Sequence, residues 1–156
     1  MNIIVFSFQA QRINSSKSSK DNMNTAARVI ILHQGRILLI HRIKFGQEYY
    51  VLPGGSIEKG ETPSQAAIRE IKEETNFDIK LDKLLWKIKE KVNGEVKLGH
   101  YFLAKSFNGN LKLGGPERGR QSNTNIYLFE WVLVTKLNDY LLYPKGLKEG
   151  IITKFS

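Results

Sequence analysis

Apolar positions first cluster in a run with the texture of paired strands. "TAARVIILHQGRILLIHR" carries two β-rich stretches separated at Gln34-Gly35, a two-residue hairpin signal. "EYYVLP" adds a shorter strand that Pro53 and the glycines after it stop. The pattern then changes period. Thr62-Pro63-x-Gln65 announces a helix, with Thr62 as N-cap, Pro63 at the first helical position and Gln65 closing a capping box. The helix is predicted to run to Thr75, with Asn76 taking a left-handed conformation just beyond it. Two extended segments, about 80–92 and 96–107, follow around a turn at Asn93-Gly94, and the charged stretch 87–91 is expected to face water. The stretch 113–123, "LGGPERGRQSN", reads as a loop, "NIYLFEWVLV" as a strong strand, and "TKLNDYLLYPKGLKEGI" as one or two short closing helices. Strands and helices in this order predict a mixed β-sheet flanked by helices.

Upstream, residues 3–10 have strand character, and 14–22, "NSSKSSKDN", is a polar Ser/Lys linker. Residues 1–22 therefore read as an N-terminal strand or appendage plus linker, and 23–156 as one domain. A chain of 156 residues has room for one sizeable core. Apolar runs far shorter than the roughly 18 residues a membrane helix needs, and no basic region ahead of the first apolar patch, argue against a membrane span or signal peptide.

On the predicted helix, placing Glu70 at 0° puts Glu73 near −60° and Glu74 near +40° at about 100° per residue. Ala67, Ile68, Ile71 and Thr75 then form the packing flank. Carboxylates this close repel one another, and Glu73 and Glu74 sit at the helix end where the macrodipole disfavours them. An acidic face open to solvent would account for them blandly; a divalent cation would offset the repulsion. Oxygen donors of this kind suit Mg²⁺ or Mn²⁺, and glycines ahead of the helix let backbone approach a ligand closely.

The residues Gly55, Glu61 and the run Arg69-Glu70-Ile71-Lys72-Glu73-Glu74, closed by Phe77, resemble the box of the Nudix hydrolases, also called MutT-like. Asn76 stands where that box usually has glycine. The box spans 55–77, and strand order extends a looser resemblance from residue 25 to the final helix. The resemblance implies an α/β/α sandwich and Mg²⁺- or Mn²⁺-dependent attack of water on a diphosphate linkage of a nucleotide or nucleoside diphosphate derivative. It implies Glu70, Glu73 and Glu74 as metal ligands, with a carbonyl from Gly54 or Gly55, and Arg69 and Glu61 as supports of those carboxylates. The resemblance names no single glutamate as general base, since a metal lowers the pKa of water directly and the base can lie outside the box; Glu117 and Glu130 are the candidates there, with Glu117 preferred for its turn-rich loop.

Composition adds a smaller constraint. The absence of cysteine excludes disulfides, thiolate nucleophiles and Cys-based metal sites and fits a cytoplasmic protein. A formal charge of +9 favours anionic partners, so a nucleotide, and also RNA, suits the surface; a homodimer is compatible with the same sequence. Arg42, Lys44, Arg118 and Arg120 are candidates for binding phosphate, and Phe45, Tyr49, Tyr50, Tyr127 or Phe129 for stacking on a base, although strand aromatics usually pack. His33, His41 and His100 show no metal-ligand spacing and read as structural, and Trp131 reads as packing. Two other classes stay open: a nucleotide- or RNA-binding regulatory module, and an RNA 5′-end pyrophosphohydrolase.

Overall fold

The computed structural model describes residues 24–92 and 95–156, and all their side chains except those of residues 90–92, 116 and 117. The strand and linker expected within residues 1–22 lie outside the described residues, as does the turn at Asn93-Gly94.

The chain order is β1 (Asn24–Ile30), β2 (Leu32–His33), β3 (Arg36–Lys44), β4 (Gln47–Val51), β5 (Gly54–Ser56), α1 (Pro63–Thr75), β6 (Asp78–Val92), β7 (Glu95–Asn108), α2 (Gly115–Arg120), β8 (Asn125–Leu133), a 3-10 turn (Val134–Asp139), β9 (Leu142–Tyr143) and α3 (Leu147–Phe155). Two mixed sheets carry these strands. One has the order β5-β1-β7-β6, and the other runs β2-β3-β4-β9 with β8 on the free side of β3. The result is an α/β/α sandwich.

Alternation along β1 and β3 shows why both strands read as unbroken apolar runs. Val29, Ile31 and Leu38 pack with Ala66, Ala67 and Ile71 of α1, whereas Ile30, Ile37 and Leu39 pack with Leu147 and Ile151 of α3. Successive side chains point to opposite faces, and both faces are covered, so no polar alternation survives.

The hairpin signal at Gln34-Gly35 is real but smaller than expected. Both residues have positive φ, 49° and 72°, yet across that turn β3 pairs with just Leu32 and His33 and takes one further bond, from Leu38 N to Ile31 O at 3.0 Å. β1 instead runs parallel to β7 and antiparallel to β5. A local turn signal carries no information about a strand's long-range partner. The segment expected as a loop at 113–123 contains the short helix α2. Among the described residues no helix is long and apolar enough to cross a membrane.

Candidate active site on the acidic helix

α1 begins as its sequence predicts: Thr62 Oγ1 accepts from Gln65 N at 3.2 Å, and Gln65 Oε1 accepts from Thr62 N at 2.9 Å. It ends at Asn76, φ 66°, whose amide donates to Lys72 O and whose side-chain amide donates to Asn110 O at 3.1 Å. The buried flank consists of Ala66, Ala67, Ile71, Glu74 and Thr75. Ile68, expected to pack, is 44% exposed. The contact arc is centred closer to the carboxylates than an apolar count suggests, because Gly54-Gly55 backbone, not side chains, fills the space beside Glu70 and Glu74.

That glycine pair explains the close approach. Gly54 has φ 137°, and a Cβ there would overlap the carbonyl of Ala27; a Cβ on Gly55 would occupy the place of the Glu70 carboxyl group. Gly54 N donates to Glu74 Oε1 at 3.3 Å. Glu70 and Glu74 therefore bracket one short piece of backbone from the helix side. On the other side Arg28 Nη1 donates to Gly54 O at 2.8 Å. Arg28 carries no box signature, and its role was hidden in the sequence because it comes from pairing β1 with β5.

Arg69 ties the remaining carboxylates. Its Nε and Nη2 bond both oxygens of Glu61 at 2.6 and 2.9 Å, Nη1 reaches Glu70 Oε1 at 2.9 Å and Glu73 Oε2 at 3.3 Å, and Nη2 also donates to Ser56 O. The hydrogen bonds from Arg69, with a further one from the Glu58 backbone, hold the Glu61 carboxyl down at a pKa of about 2, and these contacts favour the charged guanidinium. Glu70 and Glu73 converge on a single nitrogen. Among the described residues no three acidic or histidine side chains stand together at metal-ligand spacing. The donors gathered here are all oxygens, and the cradle beneath Glu70 is one that a Cβ would fill, so the residue set fits a hard divalent cation.

The C-terminal end of α1 meets the other segment of interest: Lys112 N donates to Thr75 O and Gly114 N to Glu74 O. This places α2 beside the helix. Arg118 and Arg120 are exposed on α2, and the side chain of Glu117 lies outside the described residues. Glu130 projects from β8 into a different group, accepting from Tyr140 Oη at 3.3 Å and lying 3.8 Å from His41 Nδ1. Burial, reinforced by Glu130, pushes the Tyr50 hydroxyl in this group up to about 12.

Among the substrate candidates, Arg42 is packed rather than open. Its guanidinium lies 3.6 Å from the Tyr127 ring centroid and 5.8 Å from that of Tyr49, and Nη2 donates to Asn125 Oδ1 at 2.9 Å. Asn125, missed in the sequence, also donates to Arg120 O at 3.0 Å, and Phe45 N donates to Thr124 O at 2.8 Å. The β3–β4 turn and the end of α2 are thus tied together, although 75 positions separate Phe45 from Arg120. Lys44 is exposed at this turn and Phe45 is 75% exposed. Tyr49 is half-buried, edge-on to Tyr143.

Comparison with known proteins adds to this geometry. A sequence model of the NUDIX domain matches residues 23–149. The 8-oxo-(d)GTP phosphatase of Mycolicibacterium smegmatis is 30% identical over 112 residues, covering 72% of this chain and 31% of that protein. The MutT-like protein of Streptomyces ambofaciens is 36% identical over 74 residues, 47% of each. The chain spans less than half the length of the curated relatives it matches. Among solved structures, a MutT NUDIX hydrolase from Burkholderia pseudomallei superposes with a TM-score of 0.65 at 24% identity, covering 87% of this chain and 100% of that one. A MutT protein from Methanosarcina mazei Go1 gives 0.67 at 20% identity, covering 88% and 96%.

Proposed function

Because this chain belongs to the NUDIX domain family, we propose that it hydrolyses a diphosphate linkage in a nucleoside triphosphate or a nucleoside diphosphate derivative, with Mg²⁺ or Mn²⁺ as cofactor. The observation that carries the reading is the convergence of Glu70 and Glu73 on Arg69 Nη1 while Glu70 and Glu74 bracket Gly54-Gly55.

Glu70, Glu73 and Glu74, with a carbonyl of Gly54 or Gly55, are the residues that would hold the cation, whose chemistry when bound is to lower the pKa of water and neutralise charge on phosphoryl oxygens. Arg69 acts as a positioning residue, orienting Glu70 and Glu73 while anchored on Glu61. Groups of this kind matter without touching the ion. For the proton leaving the attacking water, Glu117 is the proposed acceptor, since Glu130 already accepts from Tyr140. Lys44, Phe45, Arg118 and Arg120, on two segments joined through Asn125 and Thr124, are the proposed substrate contacts. Arg42, held between Tyr127 and Tyr49, supports them. The name of the M. smegmatis relative makes oxidised purine nucleotides the first substrates to try.

The test is a panel of 8-oxo-dGTP, dGTP, ADP-ribose, a nucleotide sugar and 5′-triphosphorylated RNA, each with Mg²⁺ and with Mn²⁺, and products resolved by anion exchange. Metal-dependent release of a phosphate-containing product in one or more arms is expected. No product in any arm from folded protein, or undiminished turnover in both Glu73→Gln and Glu74→Gln, would sink the reading.

A further inference from the structure

A small cleft of about 110 Å³ opens between the two sheets. Arg28 of β1 and Lys97 and Tyr101 of β7 line it from one sheet, and Tyr143 of β9 with Leu52, just after β4, from the other. Arg28 stands opposite Tyr101 in the parallel register of β1 and β7, and Lys97, Gly99 and Tyr101 take alternate positions on β7, so the four share one face. A Cβ on Gly99 would overlap the Tyr101 ring; its absence lets that ring lie over residue 99 as the cleft floor. One residue joins the cleft to the carboxylate site. Gly54 N donates to Glu74 Oε1 and Gly54 O accepts from Arg28 Nη1, which leaves Nη1 and the Glu74 carboxylate at most about 10 Å apart.

Arg28 has donors to spare. Its Nη1 is spent on Gly54 O at 2.8 Å and Leu52 O at 3.4 Å, and these two backbone acceptors fix the guanidinium. Nε and Nη2 make no hydrogen bond with the described residues. The buried polar atoms without a partner belong to His41, Arg42 and His100, so both Arg28 nitrogens keep accessible surface. Together Nε and Nη2 form the side-on fork that matches two oxygens of a phosphate.

The charge balance favours an anion. Among the described residues neither Arg28 nor Lys97 has a carboxylate within ion-pair distance, and no carboxylate lines the cleft. Glu90, opposite Lys97 in the register, has its side chain outside the described ones. A half-buried guanidinium without a counter-charge is costly, and an anion entering between Arg28 and Lys97 removes that cost.

We propose that Arg28 and Lys97 select the substrate by a phosphate monoester separate from the diphosphate under attack, and that the substrate is a nucleoside diphosphate derivative phosphorylated on its ribose. The size of the cleft decides between a substituent and a whole base. About 110 Å³ lies well below the roughly 300–1,000 Å³ of small-molecule pockets, so a phosphate group enters and the nucleoside stays outside. The span decides where the group is attached: one ribose separates a 5′-diphosphate from a 2′- or 3′-phosphate, which suits the short reach from Glu74 to Arg28. Calling this ligand a substrate rests on the hydrolase reading, whereas its binding does not.

The experiment titrates the ¹⁵N-labelled full chain with two matched pairs, in EDTA so that no divalent cation reaches the carboxylate site. NADP⁺ and NAD⁺ differ by a 2′-phosphate, and coenzyme A and dephospho-coenzyme A by a 3′-phosphate. The phosphorylated member of at least one pair should bind at least tenfold more tightly than its partner, with saturable shifts at Arg28 Nε and at the amides of Lys97 and Gly99. Arg28→Gln, which keeps a donor for Gly54 O, and Lys97→Gln, at an exposed position, should each narrow that difference to less than threefold. Which pair discriminates tells the 2′- from the 3′-phosphate. The proposal is overturned by equal affinity within both pairs, by shifts confined to Lys44, Arg118 and Arg120, or by a difference that survives in either folded variant. Turnover of both pairs with Mg²⁺ is read separately. Discrimination in binding without any product would count against the hydrolase reading alone, and product formed equally from both members of each pair against the phosphate assignment alone.

Discussion

Arg69 grips Glu61 through two nearly parallel hydrogen bonds, Nε to Oε1 at 2.6 Å and Nη2 to Oε2 at 2.9 Å, eight positions apart in the chain. This fork leaves Nη1 for Glu70 and Glu73, so Glu61 fixes the direction from which Arg69 meets the acidic face. A bidentate fork of this kind is specific to arginine. Arg69→Lys is expected to reduce metal affinity or activity by about 10–100-fold, the range typical of supports around a metal site, while the fold remains. Mg²⁺ titration of activity beside circular dichroism checks both halves.

The same pair sets an acid dependence. Glu61 titrates near 2 in the folded chain against an ordinary value of 4.5. A depressed carboxyl contributes stability that is fully present above its unfolded pKa and is lost as pH falls through the folded one. The contribution should therefore fade between about pH 4.5 and about pH 2. Melting temperatures of the parent and Glu61→Gln should differ above that window and converge within it; curves that stay parallel across it would refute the assignment.

Glu74 is 2% exposed, and its Oε1 accepts from Gly54 N. Glutamine in its place keeps a carbonyl oxygen for that bond but removes the charge. Glu74→Gln is expected to remain folded and to lose turnover by about 100-fold or more, beyond the upper end of the effect expected for a residue that only supports ligands. A variant that unfolds instead would show that the group is chiefly structural.

Asn76 occupies the left-handed position that ends α1, at φ 66°. Alanine lacks the local hydrogen bonding that eases asparagine into this conformation, and the cost for an ordinary L-residue is about 1–2 kcal/mol. Asn76→Ala also loses the bond to Asn110 O. Urea unfolding should show Asn76→Ala destabilised by about 1–3 kcal/mol. Asn76→Gly should stay within about 1 kcal/mol of the parent, because relief of the backbone offsets the lost side-chain bond.

Phe45 and Arg42, three positions apart on one hairpin, should separate cleanly. Phe45 is largely exposed, so Phe45→Ser is expected to leave stability within about 0.5 kcal/mol and to raise KM for the best substrate. Arg42→Ala removes the stacking on Tyr127 and the bond to Asn125, and should lower stability by about 1–3 kcal/mol. Steady-state kinetics with urea melts on both variants decide the matter; a stable Arg42→Ala protein would mean the stack is incidental.

The sequence by itself determined what depends on near neighbours. The Thr62-Gln65 capping box and the left-handed Asn76 follow from short-range geometry, because a cap and a turn residue involve atoms a few positions apart. The tertiary structure alone decided which strand accompanies β1, why Gly55 must lack a side chain beneath Glu70, that Arg28 reaches the Gly54 carbonyl, and that Ile68 faces out while Glu74 faces in. It also joined the hairpin at Phe45 to the end of α2 through Thr124 and Asn125. Each of these is a contact between segments distant along the chain, set by how the sheets and helices pack, and hydrophobic periodicity reports that a face is buried without recording what buries it.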